Sequence, residues 1–225
     1  MSPCFDREFC SRCIRRKAAL VLLLLLAASA LAAPKVQTVG PCTDSTVPDS
    51  VKKALAPTGY RVTLDDGSPL DVWPPAQVQT NDKPREDATY PLAPSLFVGV
   101  IHFAKNARDA RGNAIAAGTY TLRYELQPND GNHLGTSPTR DFLLLVPVAA
   151  DTNPARTYSF DQLIRLSEQV TGKRHPAPLN LVPADATQFP SVTTDPEDHT
   201  ILFFKVKTQS GDLPLGLVVK GTTAE

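Results

Sequence analysis

"GTYTLRYEL", residues 118–126, is the stretch on which the fold turns. Tyr120, Leu122, Tyr124 and Leu126 alternate with Thr119, Thr121, Arg123 and Glu125. A two-residue period marks a β-strand with its apolar face on a core. The polar face is expected in solvent, as in an antiparallel sheet covered on one side. Ala117-Gly118 precedes the strand as a turn. "SLFVGVIHFAK" (95–105) upstream and "RDFLLLVPV" (140–148) downstream are apolar runs, and read as buried strands.

Working outward, "GYRVTLDDGSPLDVW" (59–73) reads as a hairpin. Tyr60, Val62 and Leu64 alternate with polar residues, and Asp66-Gly67 is a turn dipeptide. "HTILFFKVKT" (199–208) and "DLPLGLVVKG" (212–221) read as two closing strands joined at Ser210-Gly211, and "HPAPLNLVP" (175–183) as a proline-bounded segment. The period changes once, in "YSFDQLIRLSEQVTGK" (158–173). Ser159 with Gln162 forms a capping box. Phe160, Leu163, Ile164 and Val170 share a helical face, and Gly172 suits the position after a helix end. A helix is therefore expected near 159–171, and a short one near 48–55, opened by Pro48 and closed by Pro57 and Gly59. Strands at hairpin spacing, without a strand–helix repeat, predict a mainly β fold: an antiparallel β-sandwich of about eight strands. Residues 33–45 lack periodicity and read as an extended arm leading into one domain over 46–225. Five prolines within 74–95 mark a long exposed loop.

Residues 1–32 have the layout of a secretory signal peptide. Arg7, Arg12, Arg15, Arg16 and Lys17 precede an apolar run containing seven consecutive Leu or Val residues (Leu20–Leu26), and small residues follow. Cleavage is expected after Ala32, with Ala30 as the alternative and a retained N-terminal anchor as the second alternative. The apolar run is short of the roughly 20 residues a membrane span needs. The expected location is secreted or periplasmic, with no stable membrane span after cleavage. Cys4, Cys10 and Cys13 leave with the signal, so their spacing is not read as a zinc site. Cys42 then remains alone and has no internal disulfide partner. Removing five basic and two acidic side chains from 23 of each leaves 18 against 21, a net charge of −3. This balance offers nothing to nucleic acid or an anionic membrane. Met1 is the only methionine, which argues against a methionine-rich copper carrier.

No G-x-S-x-G, H-E-x-x-H, G-x-G-x-x-G or phosphate-loop motif occurs, so no catalytic residue and no cofactor is assigned. The candidate ligand-binding segment is the loop 127–141, with "DGNHLGTSPTRDF" (130–142) at its heart. Asp130, His133, Arg140 and Asp141 are its candidate residues. Asn, Asp and Gly there are also ordinary turn chemistry. Arg140 and Asp141 point to opposite faces of a strand. They read either as an arginine–acid pairing that locks the loop or as an anion clamp. His102, in a strand, reads as a core or edge histidine satisfied by a backbone carbonyl. His133, His175 and His199 read first as loop or surface histidines. A metal site drawing on all three is the alternative, because loops at one end of a sandwich converge.

The combination of "LFVGVIHF", "AGTYTLRYELQPNDGNHLG" and "RDFLLL" resembles a set of secreted bacterial proteins of unknown function. Its "AGTYTLRY" strand (117–124) is similar to strands of transthyretin-like and immunoglobulin-like exported domains. That resemblance implies export and a sandwich fold, and supplies no activity and no catalytic residue. The function expected is a non-enzymatic binding or structural module of the cell envelope. The alternative is a metal- or small-ligand-binding protein with its site at the 127–141 loop.

Overall fold

A computed structural model describes residues 32–129 and 139–222. The chain divides into a unit of residues 1–32 and a compact unit of residues 33–225, and the fold described below is that of the second. Its strands are β1 (Lys35–Val39), β2 (Gly59–Thr63), β3 (Pro69–Trp73), β4 (Phe97–Phe103), β5 (Ala107–Arg108), β6 (Ala114–Ile115), β7 (Gly118–Leu126), β8 (Asp141–Pro147), β9 (Pro178–Val182), β10 (Ser191–Thr194), β11 (Thr200–Thr208) and β12 (Gly211–Lys220). Two helices are described, α1 (Asp49–Lys52) and α2 (Phe160–Thr171). The mainly β, antiparallel reading holds.

The eight-stranded sandwich does not. Ten strands form one sheet in the order β1-β2-β3-β4-β7-β8-β9-β12-β11-β10, with β5 and β6 a separate hairpin. The edge strands β1 and β10 lie against each other without forming a ladder, so the sheet is nearly a barrel. A sandwich needs two facing sheets; here one ladder runs from edge to edge and its twist rolls it up. The strands hardest to read account for the difference. β1 comes from the segment expected as an arm, and β10 is the short polar run Ser191–Thr194.

The inner face carries the main core. Leu122 and Tyr124 of β7 meet Leu143 and Leu145 of β8, Leu179 and Leu181 of β9, Leu202 and Phe204 of β11, and Leu215 and Leu217 of β12. Each fully buried side chain of this size contributes roughly 1.5–3 kcal/mol. The segment 74–95 is irregular, as its prolines dictate. It is not simply an exposed loop, because Val78, Tyr90 and Leu92 enter this core. Val98 faces inward and Val100 outward, so a simple two-residue period would misplace one of them. The register shifts between Phe97 and Gly99, and Gly99 takes φ +129 with Trp73 O filling the place a Cβ would occupy. Only glycine adopts that backbone easily.

Much of the outer face is covered as well. Val47, Val51 and Leu55, around α1, cover Trp73, Phe97 and Val100. Tyr158, just before α2, and Leu163 within it cover Phe142, Leu144 and Val146. The α2 capping box forms as the sequence implies: Gln162 N donates to Ser159 Oγ at 3.3 Å and Ser159 N to Gln162 Oε1 at 3.0 Å. Gly172 ends the helix in the left-handed region at φ 63. Leu163 and Val170 are buried as expected, whereas Phe160 is 37 % exposed.

Candidate functional site

The polar face of β7 is not in solvent. Thr121, Arg123 and Glu125 are all buried, and residues 151–158 lie over the first two. Arg123, 1 % exposed, donates through Nε and Nη2 to the two oxygens of Asp151, each at 2.7 Å. Its remaining N–H groups reach the carbonyls of Ser95, Asn153, Pro154 and Arg156 at 2.9–3.1 Å. Asp151 also accepts from Thr121 Oγ1 at 2.7 Å and Tyr158 Oη at 3.0 Å. Phe97 and Tyr158 place ring faces against the guanidinium, at 5.5 and 5.2 Å. Every donor of Arg123 and every lone-pair direction of Asp151 is used. Such a closed network holds the 151–158 segment to the barrel and leaves nothing for a ligand.

Asp141 is another fully buried acid. It lies on the inner face beside Leu143, where the strand alternation puts it. It accepts from Thr89 N at 2.8 Å, Tyr90 N at 3.1 Å and Tyr124 Oη at 2.6 Å. It therefore anchors the irregular 74–95 segment. Burial, with the Asp141 hydrogen bond second, pushes the Tyr124 hydroxyl pKa well up. Burial pushes that of Tyr90 up to about 12, and Tyr90 Oη donates to Val182 O at 2.5 Å. Arg140 turns the other way. Its Nε and Nη2 donate to Gln127 O at 2.9 and 2.5 Å, and Asp87 lies 3.7 Å from Nη1. Together with Gln127 N donating to Arg140 O at 2.8 Å, this closes the base of the 127–141 loop. Asp130 and His133 lie outside the described residues.

The histidines are placed separately. His102 is half-buried, with Nδ1 2.8 Å from Thr119 Oγ1 and 3.7 Å from Asp44, so a hydroxyl takes the place of the expected backbone carbonyl. Burial opposes ionisation of Asp44, but hydrogen bonds from Thr119 and Thr46 hold its pKa below the ordinary value. His175 Nδ1 sits 2.7 Å from Pro176 O. His199 stands between Asp195 and Ala110. Among the described residues, the one set of three possible metal ligands is Asp195, Glu197 and His199, which does not include His175. Cys42 is buried, and burial pushes its thiol pKa up, which makes it a poor nucleophile.

One cleft has the form of a ligand site. It encloses about 360 Å³ on the outer face of β8 and β9, beside α2. Phe142 and its cross-strand partner Asn180 line it, with Pro178 and with Phe160 and Ile164 of α2. Arg111, Arg174 and His175 bring cationic or donor groups to it. Among the described residues, neither the Arg111 nor the Arg174 guanidinium has a hydrogen-bond or ion-pair partner. Asp141 also borders the cleft, but its oxygens are already engaged. The cleft thus combines apolar surface with unmatched positive charge, and suits an apolar body bearing an anionic group. Gln127, Pro128 and Thr139, the two stems of the expected binding loop, line it too. The sequence reading picked out that loop but missed Phe160, Ile164, Arg111 and Arg174. No local signal set Phe160 apart, because it shares one helical face with Leu163, Ile164 and Val170.

The structure defines residues 33–222 as a nearly closed, antiparallel ten-stranded sheet with two helices on its outer face among the described residues and an amphipathic cleft beside α2. Comparison with protein-family models, with curated proteins and with solved structures finds no match. No helix among the described residues is long and apolar enough to cross a membrane.

Proposed function

We propose that this chain is an exported, non-enzymatic binding protein of the cell envelope, and that its ligand is a small amphipathic anion held in the cleft beside α2. The observation that carries this reading is the pairing, in one cleft of about 360 Å³, of the exposed ring of Phe160 with the Arg111 and Arg174 guanidiniums, which have no partner among the described residues. Large exposed apolar groups beside convergent polar ones mark binding surfaces. The apolar part of the ligand lies on Phe142, Phe160 and Ile164, and its carboxylate or sulfonate meets the arginines. Export is supported by the signal-peptide layout of residues 1–32. The resemblance of the 117–124 strand to exported bacterial domains supports the same location.

Two measurements test this. Titration with anilinonaphthalene sulfonate, an aromatic anion, is expected to give saturable one-to-one fluorescence. Arg174→Ala and Phe160→Ser each weaken it about tenfold, the effect of losing one charge-assisted or apolar anchor. Absence of saturable binding, or binding indifferent to both substitutions, refutes the cleft. Cell fractionation with N-terminal sequencing tests export, with Ala33 the expected first residue. An intact N-terminus on cytoplasmic protein refutes export.

A further inference from the structure

Asp195, Glu197 and His199 lie on the turn between β10 and β11, and the geometry points to a site for one divalent transition-metal cation there. His199 Nδ1 is 3.0 Å from Asp195 Oδ2 and 3.6 Å from Glu197 Oε2, and all three donor atoms lie within 4.8 Å of one another. Neighbouring ligand atoms around one ion with bonds of about 2.1 Å stand about 3.0 Å apart in an octahedron and about 3.4 Å apart in a tetrahedron. The separations of Nδ1 from the two carboxylate oxygens are therefore close to those of adjacent corners of one coordination shell, and the two oxygens lie within 4.8 Å of each other. Glu197 is 81 % exposed, and closes the last few tenths of an ångström by rotating a free side chain.

The decisive contact comes from elsewhere in the chain. His199 Nε2 lies 3.1 Å from the carbonyl of Ala110, 89 residues away in sequence. A carbonyl only accepts, so Nε2 carries the proton and donates to it. In the neutral ring this fixes the lone pair on Nδ1, which faces two carboxylates. With Nδ1 unprotonated, three electron-rich atoms face one another, and a metal cation between them takes the place that a proton on Nδ1, shared with Asp195, holds otherwise. A backbone carbonyl holding the far ring nitrogen is the usual support of a metal-binding histidine. Asp195 is held as well, because its other oxygen, Oδ1, accepts from Glu197 N and His199 N, each at 2.9 Å. The ring is mostly buried, which keeps water from replacing the carbonyl. Ala110, in turn, packs against the cluster of Ile201, Phe203 and Val218. One imidazole and two carboxylates suit zinc or manganese better than calcium, which takes oxygen ligands alone. Three protein ligands leave the remaining positions to water or a further ligand.

This site shares no residue with the cleft and does not rest on it. The test is calorimetric titration of the full chain, after treatment with EDTA, with zinc chloride. Manganese-induced broadening of the His199 ring signals gives a second readout. One equivalent of zinc is expected. His199→Gln and Glu197→Gln each weaken it at least about tenfold, and the exposure of Glu197 keeps folding out of the second result. His133→Ala and Arg174→Ala leave it unchanged. The proposal is overturned by no saturable zinc binding, by wild-type affinity in both ligand variants, or by loss of binding in His133→Ala.

Discussion

Two arginine-containing regions flank the same helix and behave oppositely. At one, Arg123 and Asp151 lie beneath residues 151–158, with every donor and acceptor satisfied inside the protein. At the other, Arg111 and Arg174 line an open cleft, and among the described residues neither guanidinium has an acid partner. The residue types are alike, and what differs is whether backbone has been laid over them. A guanidinium taken out of water must find all its partners in the fold, and then has none left for a ligand. One left at the rim keeps its hydration, costs the fold little and stays available. Charge buried under a covering segment is thus spent inside the fold, whereas the charge at the cleft is the part the proposed ligand would meet.

The strongest way to break this contrast is to remove half of the buried pair. Asp151→Ala leaves Arg123 uncompensated in a dry site, and is expected to cost about 3–5 kcal/mol, read by urea unfolding. The double substitution Arg123→Met with Asp151→Leu should recover much of that loss, since no charge is then stranded. If the double variant is as damaged as the single one, the network matters for more than charge balance. Asp141→Asn comes next. An amide nitrogen would then confront Thr89 N or Tyr90 N, donor against donor, at an expected cost of about 1–3 kcal/mol. Faster proteolysis within 74–95 would locate the damage.

Glu125 tests the contrast with the opposite sign. Burial pushes the pKa of its carboxyl up, with Leu126 N donating to it at 3.0 Å as a partial offset. A raised folded-state pKa contributes stability that is full below the unfolded value and is lost as pH rises through the folded value. Glu125→Gln keeps the acceptor for Leu126 N and cannot ionise. It should raise the melting temperature at about pH 8, and that advantage should fade on acidification to about pH 4. An advantage independent of pH would show that packing, not charge, is responsible. The smallest effect belongs to the open region. Arg174→Ala should change stability by less than about 0.5 kcal/mol while it weakens binding of the aromatic anion. Together these two results would separate recognition from structure.

How much was legible in the sequence follows from how local each signal is. The period-two run at 118–126 locates β7, and Ser159, Gln162 and Gly172 fix both ends of α2, because caps and turns are set by residues close in sequence. The 127–141 loop was legible as a polar interruption, and its stems do reach the cleft. Arg140 was legible as one half of a pairing, but Gln127 O and Asp87, which it contacts, were not. The cleft's other residues come from three distant segments, around 111, 160 and 174, which no periodicity connects. The Asp195–Glu197–His199 set was visible only as acids in a turn, since the Ala110 carbonyl that orients His199 is 89 residues away.

By itself, then, the sequence determined the chain's β character, its antiparallel hairpins, its one well-capped helix and the mixed charge of its surface. These rest on spacings of two to four residues, which act before the chain has folded. Only the tertiary structure decided that the sheet rolls into a near-barrel, that much of the polar face of β7 is buried, and which arginines stand at the rim of a cleft. Those outcomes depend on what lies across a strand or over a face. Alternation says that two faces differ, but not which of them another segment will cover.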